Sequence, residues 1–136
     1  MLSIIGEPTM SVIRTAEVRR AETPSATMTT LASPTLGAAE RPLWRVDVVP
    51  GAPAGPLHVI NVEQIWTFTA GGATVYCAGE SFPVLAGDTV VLPGEAERSV
   101  AADPGTGFTA IVTSAPGVRA WTLPREGEGI VPPWTV

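Results

Sequence analysis

The sequence predicts an all-β domain, a sandwich or a barrel, on three observations. Fourteen glycines and fourteen prolines among 136 residues break the chain too often for long helices. Between them stand short β-branched and aromatic runs bounded by turn pairs such as Pro50-Gly51, Gly55-Pro56, Gly71-Gly72, Gly87-Asp88 and Pro93-Gly94. A hydrophobic fraction of 45% against 15% charged residues is that of a packed interior, and the length suits one domain with one core.

Residues 1–10 read as a disordered or upstream extension, because regular sequence begins only after Met10; the domain is expected over 11–136. The stretch 15–22 (TAEVRRAE) is the one helix-like segment, two turns at most, with Thr15 able to cap and Glu17 favourable in the first turn. Strands are expected at 26–32, 43–49, 56–60, 63–69, 73–78, 81–85, 88–92, 97–101, 107–113 and 118–123. Short strands at this spacing suit a sandwich or barrel. The tail 124–136, with Pro124, Pro132, Pro133 and an isolated Trp134, suits an extended apolar arm that covers a neighbouring surface or a partner subunit.

Composition excludes several classes of function. The formal charge of −5 and the scattered arginines repel phosphate backbones, so nucleic acid is not an expected partner. The single Cys77 cannot form an intramolecular disulfide, which makes the cytoplasm the default compartment. The first ten residues lack the pattern of a secretory leader, and no window reaches the roughly 20 apolar residues of a membrane helix, so a soluble protein without a membrane partner is expected.

The segment 55–72 places His58 two residues before Ile60 and five before Glu63, then runs to the Gly71-Gly72 turn; 87–98 reads GDTVVLPGEAER. The two segments, in this order, resemble the first and second motifs of the cupin superfamily, and the resemblance spans about 41–113. It implies a double-stranded β-helix, the jelly-roll barrel of that family, with a pocket inside. It also implies metal-ligand positions at 58, 60, 63 and 98. Two of these depart from the pattern: Ile60 offers no donor and Arg98 carries a charge that repels a cation. No cofactor is therefore expected, and a metal, if held, would rest on His58 and Glu63.

The remaining residues leave alternatives open. His58 beside Glu63 suits a general acid–base pair, the carboxylate favouring the charged imidazole, or equally a structural hydrogen bond left by a lost metal site. Arg98 suits a pocket guanidinium for an oxyanion, an internal ion pair with Glu63, or a surface arginine paired with Glu95 or Glu97. Gln64 is expected to point away from Glu63, out of the pocket. Trp66, Phe68, Tyr76 and Trp44 stand in strands whose opposite faces are read as Ile65, Thr67, Val75 and Val46; Trp66, Phe68, Tyr76 and Ile60 are the candidate pocket lining. Cys77 reads as a small buried hydrophobe.

Two functions of different class follow. One is a metal-independent enzyme of the isomerase, cyclase or lyase type acting on a carbonyl or carboxylate substrate through His58, Glu63 and Arg98. The other is a non-catalytic sensor or carrier of a small molecule, favoured by the shortage of titratable groups. A metal-dependent oxygenase is a third reading, opposed by the missing ligands. A homodimer is expected, because an open barrel has strand edges to cover, with the Trp134 arm and the 26–32 strand as the shared surface.

Overall fold

The computed structural model describes residues 8–136, so most of the expected extension lies outside the described residues; 8–10 are exposed coil. Among the described residues ten strands follow a 3-10 turn at Thr15–Glu17: β1 Arg19–Glu22, β2 Thr27–Ala32, β3 Leu43–Val48, β4 His58–Ile60, β5 Gln64–Cys77, β6 Glu80–Leu85, β7 Thr89–Leu92, β8 Glu97–Ala102, β9 Phe108–Ser114 and β10 Ala120–Thr122. A second 3-10 turn, Pro133–Thr135, ends the chain. The helix expected over 15–22 is one turn, and its second half is a strand. Glu17 closes the turn by accepting from the Arg14 backbone N–H at 3.0 Å, while pairing with β2 takes Arg19–Glu22 into a sheet.

All pairings between strands are antiparallel. One sheet runs β1-β2-β3-β9-β5-β7, and the other holds β6, the second half of β5, β8, β4 and β10. The two expected strands 63–69 and 73–78 are one strand, β5, which passes from the first sheet to the second through Gly71 and Gly72 where a turn was expected. Gly71 has a φ of +71°, and a Cβ there would overlap the Gly107 carbonyl oxygen. Only glycine lets the chain cross so close to the β8–β9 connection. The register slips between Phe68 and Ala70 at the same bend.

Period two along each strand sends one set of side chains between the sheets. Phe68, Ala110 and Val112, none of them exposed, form the closed end of the core with Trp44, Val46, Leu92 and Phe108. Phe68 meets Phe108 edge to face at 5.2 Å between ring centroids. Val46 shares the inward face of Trp44 and does not oppose it, since two residues separate them. The arm turns back on its own barrel. Ala120 and Ile130 exchange two backbone hydrogen bonds of 2.9 Å, and Thr30 Oγ1 donates to the Trp134 carbonyl at 3.0 Å. The Trp134 arm and β2, expected as a surface shared between subunits, are thus engaged within one chain, and β2 is paired on both edges. Among the described residues no helix is long and apolar enough to cross a membrane.

Candidate functional site

A cavity of about 540 Å³ opens between the sheets. Strands β3, β5, β8 and β9 send Trp44, Trp66, Val100 and Phe108 into it; the arm adds Trp134, and β10 adds Trp121. Its rim is made by 23–26, 53–56 and the arm residues Ile130 and Pro132. The chain contains four tryptophans, and all four line this one space. The polar groups of its deep part are His58 on β4 and Gln64 at the start of β5.

His58 is half-buried, and its Nδ1–H donates to the Pro56 carbonyl at 2.8 Å. A carbonyl can only accept, so the neutral ring carries its proton on Nδ1 and presents the Nε2 lone pair elsewhere. Burial holds the imidazole below its usual pKa; the bond to Pro56 opposes this, and the charge of Arg98 adds to it. His58 is directly opposite Arg98 in the β4–β8 register, so the two side chains share a face.

Arg98 is 1% exposed and has no carboxylate partner among the described residues. Its Nε donates to the Ala96 carbonyl at 2.8 Å, its Nη2 to the Pro93 carbonyl, and its Nη1 to Gln64 Oε1 at 3.4 Å. Gln64 Oε1 also accepts from Trp66 Nε1 at 3.3 Å. With two donors fixed on its oxygen, the Gln64 amide is oriented with its NH₂ toward the cavity that Gln64 lines. The network has the cation behind, the amide in front of it and the imidazole to one side.

Several expected site residues fall elsewhere. Glu63 is exposed and lies before β5 begins, so it meets neither His58 nor Arg98, and the imidazole is held neutral beside a cation where a carboxylate was expected to charge it. Gln64 takes the inward position instead. Counting back by two from Trp66 and Phe68 would have found it. Tyr76 points to the outer face and donates to Glu97 Oε1 at 3.1 Å, because Val75 and Cys77 take the inward side of β5. Phe68 lies in the core beneath Trp66, with ring centroids 6.0 Å apart, and does not line the cavity. Ile60, Trp66 and His58 do line it.

The family's ligand positions carry His58, Ile60, an exposed Glu63 or an inward Gln64, and Arg98. This set does not fit a divalent cation: one imidazole and one amide oxygen remain, and that oxygen is already held by a buried guanidinium. Among the described residues no three His, Cys, Asp or Glu side chains converge.

No sequence family and no curated protein matches the chain. Solved structures match it clearly. An RmlC-like cupin from Shewanella frigidimarina superposes with a TM-score of 0.65 at 19% identity, over 76% of this chain and 88% of that one. The polyketide cyclase RemF from Streptomyces resistomycificus gives 0.66 at 21% identity over 82% and 84%. Oxalate decarboxylase from Lactobacillus farciminis gives 0.67 at 19% identity, over 79% of this chain but 34% of that larger one. The chain has the cupin fold, a double-stranded β-helix with its cavity between the two sheets.

Proposed function

We propose that this protein is a metal-independent enzyme of small-molecule metabolism that moves a proton on a carbonyl compound, chemistry of the isomerase, cyclase or lyase type. The observation that carries this reading is the meeting, in an apolar cavity, of a neutral imidazole with Nε2 unengaged and an amide whose oxygen is held by Arg98 and Trp66, leaving its NH₂ as a donor toward the cavity. The substrate carbonyl oxygen accepts from Gln64 Nε2. His58 Nε2 takes a proton from the adjacent carbon, and the C–H electron pair moves toward the oxygen as an enolate. The charge develops against the Gln64 N–H, which Arg98 orients from behind through Oε1. The imidazolium then returns its proton to carbon or oxygen, and the position of return sets the product. The polyketide cyclase and oxalate decarboxylase among the structural neighbours carry the names of small-molecule enzymes, which supports this class of function without choosing a substrate.

Exchange of the C1 protons of 2-tetralone in D₂O tests the reading directly. The protein is expected to accelerate exchange, and His58→Gln to lose roughly 10²- to 10⁴-fold of that acceleration. Exchange at the buffer rate, or undiminished in His58→Gln, rejects it. One observation favours a non-catalytic carrier: among the described residues His58 is the only titratable one lining the cavity. That reading expects binding without exchange. The proposal includes a homodimer, with the exposed, outward-facing Leu85 of β6 and Val91 of β7 on the surface to cover; light scattering at micromolar protein checks it.

A further inference from the structure

A buried cation normally has an anion beside it, because neutral acceptors return only part of the cost of removing a charge from water. Arg98 breaks that pattern. Its acceptors are two backbone carbonyls and one amide oxygen. The titratable groups facing it are His58 across β4 and Cys77 across β5, while its chain neighbour Glu97 is turned to the other face against Tyr76. The cavity in front of the Arg98–Gln64 pair is walled by flat rings: Trp44, Trp66, Phe108, Trp121 and Trp134. The missing counter-charge and the aromatic walls describe complementary parts of one ligand.

We infer that the cavity takes a planar aromatic enol or phenol and holds it as its anion over the Arg98–Gln64 pair. The inference rests on the proton-transfer reading for the choice of cavity and names the substrate class that reading leaves open. The ring stacks between indoles, which have the area and rigidity to fix it. The oxygen accepts from Gln64 Nε2, and its negative charge supplies what Arg98 lacks among the described residues. An enolate formed from an aryl ketone has the same shape and the same charge on the same oxygen, so binding and stabilisation of the reaction's anion use one set of contacts.

The probe is 7-hydroxycoumarin, a planar phenol whose absorbance distinguishes phenol from phenolate. Since every tryptophan lines the cavity, intrinsic fluorescence reports its entry. The expected result is saturable quenching, and phenolate appearing on the protein at least about one pH unit below its midpoint in buffer, a tenfold preference for the anion. Arg98→Met is expected to remove that preference while quenching remains. Should Arg98→Met not fold, 7-methoxycoumarin, which cannot ionise, serves on the native protein and is expected to bind at least tenfold more weakly than the phenolate. A bound probe that stays neutral to or above its free midpoint, equal binding of the methoxy analogue, or no saturable quenching at millimolar probe each overturns the inference. Anion binding without 2-tetralone exchange would remove the catalytic reading and leave this one standing; exchange without preference for the phenolate would do the reverse.

Discussion

Gln64 is the residue on which the site's geometry turns, and two substitutions there separate its parts. Gln64→Leu keeps the volume but removes the donor aimed at the ligand and the acceptor shared by Arg98 and Trp66. Losing one preorganised oxyanion donor costs about 10²- to 10³-fold in turnover, equivalent to about 2.7–4 kcal/mol. A buried donor on Arg98 and a part-buried one on Trp66 are stranded as well. At 3.3 and 3.4 Å both bonds are long, so the low end of the range of about 1–3 kcal/mol per orphaned group applies, giving a stability loss on the order of 2 kcal/mol. Gln64→Glu returns both acceptors and gives Arg98 a buried carboxylate, yet it still lacks the N–H donor. It is expected to recover the stability without recovering the activity. The assays are 2-tetralone exchange for rate and urea unfolding for stability. Exchange by Gln64→Leu within tenfold of the native protein, or full activity in Gln64→Glu, would refute the assignment of Gln64 as the oxygen's donor.

Other outcomes follow from the same geometry. Exchange activity is expected to fall tenfold per pH unit on an acid limb whose midpoint lies below 6.5 and to be flat above pH 7.5, because burial and Arg98 disfavour the imidazolium; a midpoint above 6.5 would indicate a carboxylate partner. The same depression makes the unfolded chain bind more protons than the folded one as pH drops through 6.5, so His58 contributes a loss of stability on acidification that His58→Gln lacks, measurable as urea midpoints between pH 7 and 5. Glu63→Gln, at an exposed position, is expected to leave exchange within twofold of native, checked in the same assay. Phe68→Ala opens a void at the closed end of the barrel and is expected to cost about 3–5 kcal/mol in urea unfolding.

Much of the fold was legible because turn residues mark strand ends. Strands β2, β3, β6, β7, β8 and β9 fall within a residue or so of the runs set off by Gly and Pro pairs. Gly71-Gly72 misled for a physical reason: a glycine pair serves a tight crossing between sheets as readily as a hairpin, and only the approach of the Gly107 carbonyl distinguishes them. Of the site, His58 and Arg98 were visible as residues, but their relation was not. The inward residues His58, Ile60, Gln64 and Trp66 keep one parity across the irregular backbone at 61–63, so Glu63 falls out of step with them; its charge drew attention while the neutral Gln64 holds the inward place. That no carboxylate among the described residues pairs with Arg98 is a three-dimensional fact that no spacing encodes. Nor could composition show that tryptophans from β3, β5, β10 and the arm meet in one cavity.

The chain has a single histidine, so ¹⁵N NMR of histidine-labelled protein reads the central group without ambiguity. A neutral ring protonated on Nδ1, with Nε2 in the range of an unprotonated, unligated nitrogen at pH 7 and titrating below 6.5, is the predicted result, with no change on adding Mn, Fe, Ni or Zn. An imidazolium at pH 7, a proton on Nε2, or a metal-dependent shift or broadening of that nitrogen would contradict the account.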